Sequence, residues 1–325
     1  MSTTLLPRSG APRPRLTPPK GTTAPLLHRP AAAPVRILVA TRGGLSDPAL
    51  GVAEALAHRT GGEVRMLTVH QPRIPVPPGW RTSRDPRCES ADRSLAAALL
   101  LRVRSQRRAQ ERAPRWPVRL EVGDPPRVIA DVAAEERAQL VLVGLGREQP
   151  SDRVRGSHTA SRLALLANAP VLAVAPRLRT LPRTALVLAR TAAEENAVVR
   201  ALLPLLGDSA RLWLARPAPA APSAGERMAR AAGCRVERVA LTGDTVHDAL
   251  ALADRVGAEV VATPIMGGTL AQRAIERSAA VPLLSLSRRS VLVVPVRPPT
   301  AAPRATGRTH AAAASGDGPP TAGGG

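Results

Sequence analysis

Apolar and polar positions alternate in a regular order between residues 35 and 296. Short β-rich runs are followed by stripes at helical spacing, and then by the next run. Val35–Ala40 reads as a first strand. Ser46, Asp47 and Pro48 read as a helix start, and Leu50, Ala53, Leu56 and Ala57 then fall on one face. Gly61 and Gly62 stop that helix, and Val64–Val69 is the second strand. Residues 70–91 form a long Pro-rich loop with Trp80 and Cys88. A helix over 93–113 follows, with Leu95, Leu99 and Val103 on its stripe. Val118–Val122 is a strand, Gly123 to Pro126 turn into a helix, and Leu140–Leu145 is apolar enough to be buried on both faces. A polar loop over Gly146–Gly156 leads to a helix from Ser157, and Val171–Ala175 is the fifth strand.

The order then repeats. Strands are predicted at Thr184–Ala189, Arg211–Ala215, Arg235–Ala240, Glu259–Thr263 and Val291–Val296. Thr191 with Glu194 and Ser223 with Glu226 have capping-box spacing, and Gly207, Gly233 and Gly257 close helices. The stretch from Gly123 and Asp124 to Gly144 aligns without a gap on that from Gly243 and Asp244 to Pro264, at an offset of 120 positions. The second copy lacks most of the Pro-rich loop. Right-handed crossovers then give an α/β fold: two tandem, doubly wound, parallel five-stranded sheets of Rossmann-like type. Expected domains are 35–177 and 184–296. The tails 1–34 and 297–325 are rich in Pro, Ala, Gly and Thr and read as disordered.

Composition changes this picture little. The net charge is +21, but +5 of it lies in residues 1–34, +2 in 297–325 and +14 is spread over 35–296. Lys20 is the single lysine, so the excess is an arginine bias in keeping with a GC-rich coding sequence. Phe and Tyr are absent and Trp80, Trp116 and Trp213 are the whole aromatic set, which argues against reading nucleic acid by stacking. No apolar run reaches the length of a membrane span, and the N-terminal tail lacks the core of a signal peptide. Cys88 and Cys234 stand far apart and suggest a reducing, cytoplasmic setting.

The stretch that carries chemistry is Gly144, Gly146, nine further residues, then Gly156, Ser157 and His158. A glycine loop running from a strand into a helix start can wrap a polyphosphate, with helix amides favouring the negative charge. Ser157 adds a hydroxyl donor, and Arg147, Arg153 and Arg155 add charge. The plain alternative is a strand-to-helix turn that Ser157 merely caps.

On these residues the chain resembles the universal stress protein family, over about 35–177 and 184–296. The resemblance implies an adenine nucleotide alpha hydrolase-like fold and a non-enzymatic stress-response protein. ATP-binding members carry Gly-x2-Gly-x9-Gly-Ser/Thr at this point, and an acidic residue after the first strand. Gly146, Gly156 and Ser157 occupy the last three motif positions here, Val143 replaces the first, and Arg42 stands where the acid is expected. Arg42 removes an acceptor and adds positive charge near the expected base or ribose. In the second copy the positions read Ile265, Gly268, Ser278 and Ala279, with Arg190 at the acidic place. The resemblance thus implies ATP or another nucleotide in the first copy, over Gly146, Gly156, Ser157 and Arg42, and a degenerate second copy. It also implies that the two sheets face each other as a pseudo-dimer within one chain, with a homo-oligomer as a further option. The alternatives are a nucleotide-free scaffold and a polyanion binder using Arg102–Arg115. The bland reading of that arginine run is a solvated helix face. The six His show no zinc spacing, no GxSxG elbow is present, and neither a metal nor a catalytic residue is expected. Asp124 and Asp244 read as acids at helix N-termini.

Overall fold

The computed structural model describes residues 35–41, 47–71, 116–145, 159–216, 221–241, 246–266 and 279–296. Both tails, most of the Pro-rich loop with Trp80 and Cys88, the helix expected over 93–113 with Arg102–Arg115, and Arg42, Gly146, Gly156 and Ser157 lie outside these residues.

The first half runs β1 (Arg36–Ala40), α1 (Pro48–Thr60), β2 (Glu63–His70), β3 (Val118–Val122), α2 (Pro125–Glu135), β4 (Leu140–Gly144), α3 (Thr159–Leu166) and β5 (Val171–Val174). The second runs β6 (Thr184–Leu188), α4 (Ala192–Leu202), β7 (Arg211–Arg216), α5 (Ala224–Ala231), β8 (Arg235–Ala240), α6 (Val246–Arg255), β9 (Val260–Met266), α7 (Ala280–Leu286) and β10 (Ser290–Val296). Each half has the same parallel order, 3-2-1-4-5 and 8-7-6-9-10. The two sets do not face each other. They join by their edges through an antiparallel β5–β10 pair, Leu172 opposite Leu292, and form one ten-stranded sheet. The reason is in the edge strands. β5 and β10 have inward residues on both faces, and an edge so apolar is stable only when its amides are paired and its faces covered.

Alternating residues of each strand feed two cores. Ile37, Val39, Leu142, Leu172, Val187, Leu214 and Leu292 face α1, α4 and α5. Leu38, Val141, Val143, Leu186, Trp213, Val261 and Val293 face α2, α3, α6 and α7. Both cores cross the β5–β10 seam.

Local chemistry sets the element ends. Gly61, Gly233 and Gly257 take left-handed φ of 66°, 82° and 64° where α1, α5 and α6 stop. The fourth helix was expected to reach Gly207. It ends at Leu202, and a 3-10 turn over Leu203–Leu205 follows, because Pro204 has no N–H for an α-helical bond. β9 was expected to stop before Pro264 but continues to Met266. Its register with β6 ends at Ala262, so the missing N–H of Pro264 breaks no ladder bond on that side. Helix α7 was not foreseen. Leu283 and Leu284 form its buried face, and Pro282 in its first turn disguises it.

Candidate functional site

In a doubly wound sheet a crevice opens beyond the carboxyl ends of the two strands where the winding reverses. In the first half these are β1 and β4, which pair from Ile37 opposite Leu140 to Ala40 opposite Val143. Helix α1 leaves β1 toward one core and α3 follows β4 toward the other, so the chain diverges here.

At the carboxyl ends of these strands stand Ala40, Thr41 and Gly144, with Asp47 at the start of α1 beside Gly144. Asp47 is the N-cap. Its Oδ1 accepts from Ala49 N–H at 3.0 Å and its carbonyl accepts from Leu50 N–H at 3.2 Å, with Pro48 in the first turn. The same carboxylate lies against Gly144. A β-carbon on Gly144 would stand 3.0 Å from Asp47 Oδ1, so the glycine is what admits the acid over the end of β4. Leu145 continues from β4, with its N–H on the Val174 carbonyl at 2.8 Å, and Thr159 opens α3. Arg42 follows Thr41 in sequence, and Gly146, Gly156 and Ser157 lie between Leu145 and Thr159. All four are outside the described residues. Val143 is buried in the core, so it shapes the strand rather than lining an open loop. Beside the crevice, Asp124 does not cap α2 with its side chain. It takes a bidentate pair from Arg162 of α3 instead, at 3.0 and 2.7 Å, and ties the two helices together.

At the corresponding place of the second half the polar side chains pair with one another. Arg190, just past β6, donates its N–H to Glu194 Oε2 at 2.7 Å and its guanidinium stands 3.4 Å from Oε1. Glu194 is buried, and its own N–H goes to Thr191 Oγ1 at 3.2 Å. The capping box foreseen at Thr191 is thus present, with Glu194 reaching back one residue beyond the cap to Arg190. Leu140 pairs with Ile37 as Val260 pairs with Ala185, so Pro264 takes the place of Gly144. Ile265 is in the core, and Ala279 gives α7 no side-chain cap. Gly268 and Ser278 lie outside the described residues.

A second polar cluster escaped the sequence reading. Glu195 of α4 is fully buried, accepts from the Ser223 hydroxyl, and has Arg216 Nε 2.9 Å from Oε2, close enough for charge pairing. Ser223 also accepts from Glu226 N–H at 2.9 Å, completing the second capping bond. Glu226 takes Arg230 at 3.0 Å and Arg238 of β8. Burial pushes the Glu226 carboxyl up, but the hydrogen bonds and charges of Arg238 and Arg230 outweigh this and hold it below the usual carboxylate range. Ser223 and Glu226 were legible as a cap; the buried Glu195 behind them gave no signal beyond a charge at an inward helix position. Among the described residues, no group of three or more His, Cys, Asp or Glu could hold a metal, and no helix is long and apolar enough to cross a membrane.

Comparison with known proteins gives a consistent result. Residues 35–175 match the model of the universal stress protein family. No curated protein matches the chain. Among solved structures, a universal stress protein from Archaeoglobus fulgidus is similar at 16% identity with a TM-score of 0.57, covering 80% of this chain and 96% of that one. A functionally unknown protein from Pseudomonas aeruginosa is similar at 15% identity with a TM-score of 0.50, covering 81% and 93%. A universal stress protein solved in complex with cAMP is 21% identical with a TM-score of 0.31, covering 45% and 99%. The first two likenesses carry the α/β fold across both halves, while the family model covers the first half alone. Over residues 35–175, then, the chain is similar to the universal stress protein family.

Proposed function

We propose that this chain is a non-enzymatic regulatory protein of the stress response that binds one adenine nucleotide, ATP, in its first half. The phosphates lie over Gly146, Gly156 and Ser157, with Arg42 at the mouth of the site. The observation that carries the reading is the asymmetry of the two crevices. The first keeps Gly144 at the end of β4, and its sequence continues with the Gly-x9-Gly-Ser spacing. The second has Pro264 in that place, Ile265 in the core and the Arg190–Glu194 pair just past β6. A glycine loop that ends on a helix start suits a polyphosphate for the reasons of backbone approach and dipole already given.

The second half then serves as the structural partner of the first rather than as a second site. No general base is assigned, and the function is carried by the bound state rather than by turnover.

The test is direct. The protein is purified in low phosphate and denatured, and the supernatant is assayed for nucleotide. Native protein is then melted with and without millimolar Mg-ATP. Co-purified adenine nucleotide, or a thermal shift that Gly156→Val and Ser157→Ala remove, is the expected result. No nucleotide and no shift would overturn the proposal.

A further inference from the structure

The β5–β10 seam is symmetric in backbone but not in side chains. Val141 pairs with Val171 as Val261 pairs with Val291, so each residue near the seam corresponds to the one 120 positions later. The antiparallel register keeps that relation, with Val291 opposite Ala173 and Val293 opposite Val171. Whatever happens at one end of the seam therefore has a counterpart at the other.

At one end the N–H of Ala175, just past β5, donates to Ser290 Oγ at 2.9 Å, and Ser290 is fully buried. The counterpart of Ala175 is Pro295, and the counterpart of Ser290 is Pro170. At the far end there is thus neither an N–H to satisfy nor a hydroxyl to satisfy it. The amide position just past the edge strand is met with an acceptor at the buried end and removed by proline at the half-buried one.

From this we infer that the seam selects unlike halves. Two first-half edges would set Ala175 N–H against Pro170 at both ends, leaving two buried amides without acceptors. Two second-half edges would set the Ser290 hydroxyl against Pro295 at both ends. Each orphaned polar group weakens pairing about tenfold or more. The partner that fits β5 is an edge carrying Ser followed five residues later by Pro, and β10 is such an edge. The device holds the two halves of one folding unit together and rejects a second copy of either half.

The test uses the full chain. Ser290→Ala should speed exchange of the Ala175 amide about five- to tenfold and lower the urea midpoint. In an Ala175→Pro background, which copies the solution at Pro295, the same change should have little further effect on the midpoint. Pro170→Ser with Pro295→Ala gives both edges the same acceptor and the same amide, and so removes the discrimination. Two differently tagged chains of that variant, unfolded and refolded together, should form more mixed-tag complexes than wild-type chains do. An equal loss of midpoint from Ser290→Ala in both backgrounds overturns the inference, as does equal mixing in the two refolding experiments.

Discussion

The Asp47 carboxylate caps helix α1 and rests against Gly144 at the end of β4, where a β-carbon would come within 3.0 Å of Oδ1. One acid therefore joins the first helix to the strand that leads into the glycine loop. Gly144→Ala should push the carboxylate off the Ala49 amide and cost about 1 kcal/mol, the usual value of an N-cap. Asp47→Ala should cost a similar amount. The double variant should cost less than the sum, because the acid that suffers the clash is gone. Urea denaturation of the three variants checks this, and strict additivity would count against the contact.

Ser223 acts in two directions, donating to buried Glu195 and accepting from Glu226 N–H. Ser223→Ala leaves a buried carboxylate without one donor and helix α5 without its cap. The expected loss is about 2–3 kcal/mol. Ser223→Thr keeps the hydroxyl and should recover most of it. A threonine variant as unstable as the alanine one would show that shape, not hydrogen bonding, is what matters there.

Glu226 makes stability depend on pH in a known direction. Arg238 and Arg230 hold its carboxyl below its ordinary value, so the folded state binds its proton less readily than the unfolded state does. Its contribution is complete above the ordinary carboxylate value near 4.5 and is lost as pH falls through the depressed folded value. Glu226→Gln should therefore destabilise the protein at pH 7, by about 1–3 kcal/mol, and the difference from wild type should shrink steadily below pH 4.5. A difference that stays constant into acid would remove the ion pairs as its cause.

Leu172 and Leu292 meet at the centre of the seam, and both cores run across it. Leu172→Ala should cost about 2–5 kcal/mol, as large-to-small changes do at fully buried sites. Because the cores are shared, the loss should appear as an earlier single transition rather than as the early melting of one half. Calorimetry resolving two transitions in the wild-type protein would contradict a shared core.

Much of this fold could be read from the chain. The strand runs, the two capping boxes at Thr191 and Ser223 and the glycine stops are all local signals, and local signals decide where elements begin and end. The repeat made the topology readable twice. What could not be read depends on distant contacts. The edge-to-edge joining rests on β5 meeting β10, and apolar strands of this kind fit a face or an edge equally well on pattern alone. Helix α7 was hidden by Pro282, which is tolerated because it lies in the first turn. In the first crevice, Asp47 was legible as a cap, but its contact with Gly144 brings together residues from opposite ends of the half. At the start of the second half's first helix, Arg190 could be read only as a charge after a strand; its pairing with the buried Glu194 needed the folded chain.

The central claim is one nucleotide per chain, in the first half. Calorimetric titration of the nucleotide-free protein with Mg-ATP measures it by stoichiometry. The account predicts one site, lost on Gly156→Val and kept on Arg190→Ala. Two sites, no binding at all, or a single site lost on Arg190→Ala and kept on Gly156→Val would contradict it.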